Sequence, residues 1–199
     1  MALRPGFRDP VHDAQAVFRA AMEALSRPGF VRALPTDLAP PEPLTAELAA
    51  LALALCDADT PIWLDAPLAR SAEVAAYLRF HAGAPITATP ESAAFALIVD
   101  AAACPAFTAF AQGTPDYPDG SATLILALDH LTEEDGLAFT GPGINGRVRF
   151  DAGPLPADWS ARLAANHALF PCGLDILLTA PGRMTGLPRS ARVLEPAEA

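Results

Sequence analysis

Between residues 122 and 128 the chain runs Ala-Thr-Leu-Ile-Leu-Ala-Leu, with Asp119-Gly120-Ser121 on one side and Asp129-His130 on the other. A strand with one wet face alternates polar and apolar side chains. This run does not, so it predicts a strand buried on both faces, with helices above and below it. Residues 95–100 predict a second strand of this kind, and residues 62–65 and 174–179 add further apolar strands. Elsewhere the spacing is helical. Asp9-Pro10 is a cap followed by proline at the first helical position, and Val11, Ala14, Val17, Phe18, Ala21, Met22 and Leu25 then recur as one apolar face until Pro28-Gly29 stops the helix. Residues 44–56 predict a helix that is apolar almost all round, hence deeply packed. Ser71 and Val74 open another, with Val74, Tyr77 and Leu78 inward and an end near His81-Ala82-Gly83.

Shorter signals complete the chain. Residues 30–34 predict a short strand, 36–43 a proline-rich loop, 105–111 a short helix and 156–169 a longer one. Residues 137–140 and 147–150 predict paired strands, and Pro181-Gly182 turns the strand 174–179 into a hairpin with 184–188. The polar tail from residue 195 is expected to be loose. Helices and strands alternate early and hairpins gather late. The fold class is therefore α/β, a single domain over residues 1–199 with three layers, α/β/α, around a mixed sheet.

Composition narrows the functional classes. A net charge of −10 opposes non-specific nucleic-acid binding, which needs a basic surface. The longest apolar stretch, residues 48–56, is too short to span a bilayer, and the first residues lack the apolar core of a secretory signal; a cytoplasmic protein without a membrane partner is expected. All 13 basic residues are arginine. With no lysine there is no phosphate-binding G-x-x-x-x-G-K-[ST] loop, and no G-x-S-x-G nucleophile elbow occurs either. Cys56, Cys104 and Cys172 are widely spaced, which indicates neither a disulfide framework nor a zinc site.

Each remaining chemical signal has a structural alternative. Gly141-Pro-Gly143-Ile-Asn-Gly146 matches G-x-G-x-x-G, but Arg147-Val-Arg-Phe150 after it alternates like a strand, so a glycine-rich turn between strands is favoured over a dinucleotide site. His130, Glu133 and Glu134 form a potential ligand cluster in what is expected to be a solvated turn, and no metal is assigned. Cys56 and Cys172 border apolar segments and are read as packed, inert thiols. Arg79 and His81 lie at a helix C-terminus, where the dipole alone favours cations; Arg79 is also a candidate phosphate contact. No catalytic constellation emerges.

A set of short motifs in order resembles one family. They include Gly6-Phe-Arg-Asp-Pro-Val11, Ser26-Arg-Pro-Gly29, Asp59-Thr-Pro-Ile-Trp-Leu-Asp65, Arg79-Phe-His81, Gly113-Thr-Pro-Asp-Tyr-Pro118, Ser121-Ala-Thr-Leu-Ile-Leu126, Gly141-Pro-Gly-Ile144, Phe170-Pro-Cys-Gly-Leu-Asp175 and Pro188-Arg189. Together they resemble the PhnH family, the H subunit of the bacterial carbon–phosphorus lyase core complex, over nearly the whole chain. Ala82, Cys172 and Ser190-Ala191 depart from its usual pattern. The resemblance implies a fold similar to the pyridoxal-phosphate-dependent transferases, a homodimer, and association with G, I and J subunits. It further implies a supporting role in displacing adenine from MgATP by a phosphonate, giving a ribose 1-phosphonate 5-triphosphate. A pyridoxal-phosphate enzyme needs a lysine for its Schiff base, and this chain has none, so no cofactor is expected; MgATP and phosphonate would be substrates of the complex. The leading expectation is a non-catalytic subunit of a transferase complex. The alternative is a subunit that itself binds the nucleotide or phosphonate, with Arg79, His81 and Arg189 as candidate contacts because arginine forks match phosphate oxygens.

Overall fold

The computed structural model describes residues 3–194; the tail from residue 195 lies outside them. Fifteen helices and strands follow one another: α1 (Pro10–Ser26), β1 (Arg32–Ala33), α2 (Ala46–Leu55), β2 (Ile62–Leu64), α3 (Ala66–Ala69), α4 (Ala72–His81), β3 (Ile86–Thr87), β4 (Phe95–Ile98), β5 (Thr123–Ala127), β6 (His130–Thr140), β7 (Val148–Gly153), α5 (Trp159–Ala168), β8 (Asp175–Ala180), β9 (Arg183–Leu187) and β10 (Arg192–Val193). Short 3₁₀ turns join several of them.

The organising run is the middle strand. The main sheet has seven strands in the order β1-β9-β8-β5-β4-β2-β3, with β5 in the fourth place. Strands β3, β2, β4, β5 and β8 are parallel, while β9 pairs antiparallel with β8 and with β1, so the sheet is mixed as expected. Alternation along the strands divides the core. Ile62, Leu64, Leu97, Ile125, Leu177 and Met184 pack on one face with α1, α2 and α4. Ala96, Ile98, Leu124, Leu126, Ile176 and Leu178 pack on the other with Trp159 and Leu163 of α5. Leu48 to Ala52 of α2 are entirely buried, as its all-round apolar sequence requires.

The second covering layer differs from a sheath of helices. A three-stranded sheet, β10-β6-β7, shares it with α5 and lays Leu131, Phe139 and Phe150 into the core; the last two rings stack at 4.9 Å. The expected pairing of residues 137–140 with 147–150 is present, Leu137 opposite Phe150 and Phe139 opposite Val148, but β6 begins at His130, where the sequence predicts a solvated turn. Among the described side chains of residues 130–136 only Leu131 is buried, so the composition there resembles a turn. A register shift between Thr132 and Leu137, with Asp135 at φ 56° and Gly136 at φ 71°, also hides its period.

Helix α1 forms where its cap predicts. The Asp9 carboxylate accepts from the N–H groups of Val11 at 3.1 Å and His12 at 3.0 Å, and Pro10 needs no partner there. Gly186 of β9 lets it approach closely: a Cβ at that position would stand 2.7 Å from the Ala24 carbonyl. The single apolar face read from its sequence is corrected. Val17, Ala21 and Ala24 are buried, but Val11, Phe18 and Met22 are 62%, 50% and 54% exposed. Those three lie on an adjacent stripe, beyond the arc that the sheet covers.

Candidate functional site

β2 and β4 are neighbours, yet the chain leaves them for opposite faces. After β2 it passes through α3 and α4 on the first face; after β4 it passes through Ala101, Cys104, Phe107 and Phe110 on the second. In open α/β sheets such a divergence opens a crevice at the carboxyl ends of the strands, where ligands commonly bind. Here Asp65, the residue after β2, occupies that place and is 5% exposed. Its Oδ2 accepts from the N–H groups of Val99 at 2.8 Å and Asp100 at 2.9 Å, the two residues that follow β4. Its Oδ1 accepts from Leu68 N–H at 3.3 Å and caps α3. Burial pushes the carboxyl above the usual aspartate range, and the three N–H donors pull it part of the way back. Two strand-end N–H groups that could cradle an anion are therefore taken by a side chain of the same protein. In the sequence Asp65 marks the end of a strand and closes the motif Asp59–Asp65, with no site role assigned to it. Its signal was the following Ala-Pro, which marks a helix start.

The expected candidates fall into two separate settings. Arg79 and His81 occupy the last turn of α4. The His81 Nε2 donates to the Arg4 carbonyl at 2.9 Å, and its ring lies 4.5 Å from Tyr77 and 5.0 Å from Phe80. Tyr77 Oη donates to the Pro5 carbonyl at 3.2 Å. Gly6 covers the imidazole so closely that a Cβ there would stand 2.7 Å from Nδ1. His81 thus fastens the N-terminal strap to α4. Arg79 projects into solvent.

Arg189 is held in a polar clamp. Its Nη2 is 2.6 Å from Asp175 Oδ2, its Nε 3.2 Å from Oδ1, and its Nη1 donates to the Pro118 carbonyl at 2.6 Å. The pair is 15% and 23% exposed at its side chains, so the fork ties the loop at Pro118 to the start of β8. It shares no hydrogen-bond partner with His81.

The other signals resolve structurally. Gly141 to Gly146 form the turn between β6 and β7, and a Cβ on Gly143, at φ 84°, would collide with the Ser26 carbonyl. His130 Nε2 lies 2.8 Å from Asp151 Oδ2, whereas Glu133 Oε1 accepts from Val31 N–H at 3.3 Å; among the described residues no group of three metal-ligating side chains is assembled. Burial pushes the Cys56 thiol up to about 12 and the Cys104 thiol up to about 11, so both stay protonated near neutral pH. A recess of about 540 Å³ opens at the sheet edge beside Arg32 and Arg183. Arg32 is paired there with Glu23 at 2.8 Å, and Arg183 Nη1 donates to the Leu131 carbonyl at 3.2 Å. No helix among the described residues is long and apolar enough to cross a membrane.

The family model for the bacterial phosphonate metabolism protein (PhnH) matches residues 5–194. The chain belongs to the PhnH family. A family relative from Rhizobium meliloti (strain 1021), the alpha-D-ribose 1-methylphosphonate 5-triphosphate synthase subunit PhnH, is 41% identical over 187 residues, covering 94% of this chain and 93% of the relative. A putative C-P lyase subunit protein, HtxG, from Stutzerimonas stutzeri is 26% identical over 81 residues, 41% of this chain and 42% of its own. The PhnH match spans the strap, α4, the Asp65 crevice and the Arg189 clamp alike.

Proposed function

We propose that this chain is a non-catalytic subunit of the complex that makes ribose 1-methylphosphonate 5-triphosphate, a transferase assembly that exchanges the adenine of MgATP for a phosphonate. It works in the cytoplasm as a homodimer joined by G, I and J subunits. The observation that carries this reading is the full-length likeness to a chain named as a subunit of that synthase. The geometry agrees with it: Arg189 and His81 are engaged within the fold, and two of the three thiols are buried and held protonated. The scaffold is related to the pyridoxal-phosphate-dependent transferases but carries no cofactor. Two features support that. The chain lacks lysine, and Asp65 takes the strand-end N–H groups at the crevice. Co-expression with the G, I and J subunits should recover this chain in stoichiometric amount; assembly of the other three without it would overturn the proposal.

A second reading is that the subunit binds the nucleotide or phosphonate itself. The solvent-facing guanidinium of Arg79, at the end of α4, is what favours it. Calorimetric titration of the isolated protein with MgATP and with methylphosphonate tests it. Binding heat that is lost in Arg79→Ala supports this reading, and no heat at millimolar ligand removes it.

A further inference from the structure

Tyr117, Leu169 and Phe170 stand 72%, 46% and 60% exposed at two neighbouring turns. One turn is closed by two backbone bonds of 3.0 Å between Thr114 and Tyr117; in the other the Leu169 carbonyl accepts from Cys172 N–H at 2.9 Å. A single nitrogen ties the turns together. Arg189 Nη1 is 2.6 Å from the Pro118 carbonyl and 3.5 Å from the Pro171 carbonyl, and these prolines directly follow the two exposed aromatic residues. Gly173 N–H donates to the Gln112 carbonyl at 2.9 Å and adds a second tie. The three side chains leave roughly 300 Å² in water, a patch of the size that marks interaction sites on soluble proteins. Its surroundings are acidic. Asp116 and Asp119 are exposed on either side of Tyr117 in the chain, and neither carboxylate pairs with a basic side chain among the described residues. Asp175 is neutralised by Arg189, whose fork is spent within the clamp.

We infer that this patch receives an arginine- or lysine-bearing segment of a partner subunit, which rests on the subunit role proposed above and gives it a docking surface. Two aromatic faces beside two unpaired carboxylates attract a cation and repel an anion. A guanidinium stacks on a ring with its plane and bonds a carboxylate with its edge, so one arginine satisfies both features. A nucleotide or a phosphonate is anionic, and the same carboxylates oppose it. They oppose a second copy of this chain too. Each copy carries −10, and a two-fold axis through the patch would set Asp116 and Asp119 against their own counterparts. The cation comes from outside, because this chain has no lysine and Arg189 is already engaged. Shape favours a protein over a small amine: small ligands are held in concave pockets, whereas these side chains project from turns, and a partner surface is what closes around them. The clamp sets both aromatic residues in place before the partner arrives, so little ordering is lost on docking.

Co-expression of the full chain with the G, I and J subunits provides the test, the amount recovered with a tagged J subunit being measured at low and high salt. Tyr117→Leu and, separately, Phe170→Leu keep an apolar side chain but lose the ring face; each should lower recovery about tenfold or more. Tyr117→Phe should assemble like the wild type. Asp116→Asn combined with Asp119→Asn should lower recovery at low salt about threefold or more and flatten its salt dependence. Circular dichroism and the urea midpoint of each variant should match the wild type, because all four side chains are exposed. Normal assembly of both leucine variants overturns the inference and leaves the subunit role standing. Failure of the wild type to assemble overturns both. Unchanged or tighter assembly without the two carboxylates refutes a cationic partner and with it the inference. A leucine variant that loses only self-association, as sedimentation equilibrium reads it, places a second copy on the patch and refutes the inference as well.

Discussion

Replacing Asp65 with alanine removes the carboxylate that ties β2 to β4. Val99 and Asp100 then lose the acceptor for N–H groups now bonded at 2.8 and 2.9 Å, and α3 loses its cap. An unmet donor in a half-buried setting costs about 1–1.5 kcal/mol, and a lost cap costs about 1 kcal/mol. Removing a desolvated carboxylate returns about 1 kcal/mol. The net loss is about 2.5 kcal/mol, or roughly 5–10 °C in Tm for a chain of this size. Asparagine gives a sharper comparison. Its oxygen can take the place of Oδ2 and keep Val99 and Asp100 satisfied, at the expense of the Leu68 cap alone, so Asp65→Asn should lose only about 1 kcal/mol. Urea denaturation of both variants at pH 7 reads the difference. The pH dependence has a definite sign. Burial raises the native carboxyl above its unfolded value, so the folded state binds that proton more readily. This group's contribution is greatest below the ordinary aspartate range and is lost as pH rises through the native value. The wild-type advantage over Asp65→Asn should therefore shrink on going from acid toward neutral pH. A loss under about 1 kcal/mol for alanine, or an asparagine variant as unstable as the alanine one, would refute the reasoning.

Three further outcomes follow from the geometry. Arg189→Ala leaves Asp175 half-buried with only the N–H of residue 189 in place of the guanidinium and frees the Pro118 loop, and should cost about 2 kcal/mol in urea denaturation; Arg189→Lys should restore less than half, because one ammonium cannot span Asp175 and the Pro118 carbonyl as the fork does. Native protein at pH 8 should react with a thiol reagent at Cys172 alone, since Cys56 and Cys104 are buried and held protonated; fast labelling of a second thiol before denaturant is added would contradict this. Gly6→Ala should lift the strap from His81 and speed amide hydrogen exchange in residues 3–9 while leaving the β5 amides unchanged, as mass spectrometry of the exchanged peptides can show.

What the sequence made legible was whatever carried a strong period. The run at residues 122–128 announced the central strand because no polar residue after Thr123 interrupts it, and Ser71 announced α4 because its hydroxyl accepts from Val74 N–H at 3.3 Å. The two-residue strands β3 and β10 have no room for a period, whereas β1 falls inside the short strand expected over residues 30–34. The stripe on α1 misled for a different reason: helical spacing shows that a face is apolar, not what covers it. The Asp65 bond was out of reach because its partners lie 34 and 35 residues away and are backbone groups, which leave no trace in side-chain identity. Arg189 was singled out for its charge, but Asp175, fourteen residues earlier, holds it, and that pairing depends on the β8–β9 hairpin bringing both to one end.

The pairing of β1 with β9 joins Arg32 to Met184, nearly the two ends of the chain. A ribosome must therefore release the chain past Leu187 before the outer margin of the sheet can close and before α1 finds the glycine it rests on. Until then α1 can pack on α2, which precedes β9, but the side that meets Gly186 stays uncovered. The buried stripe of α1 is therefore completed late, by a strand that follows it by more than 150 residues.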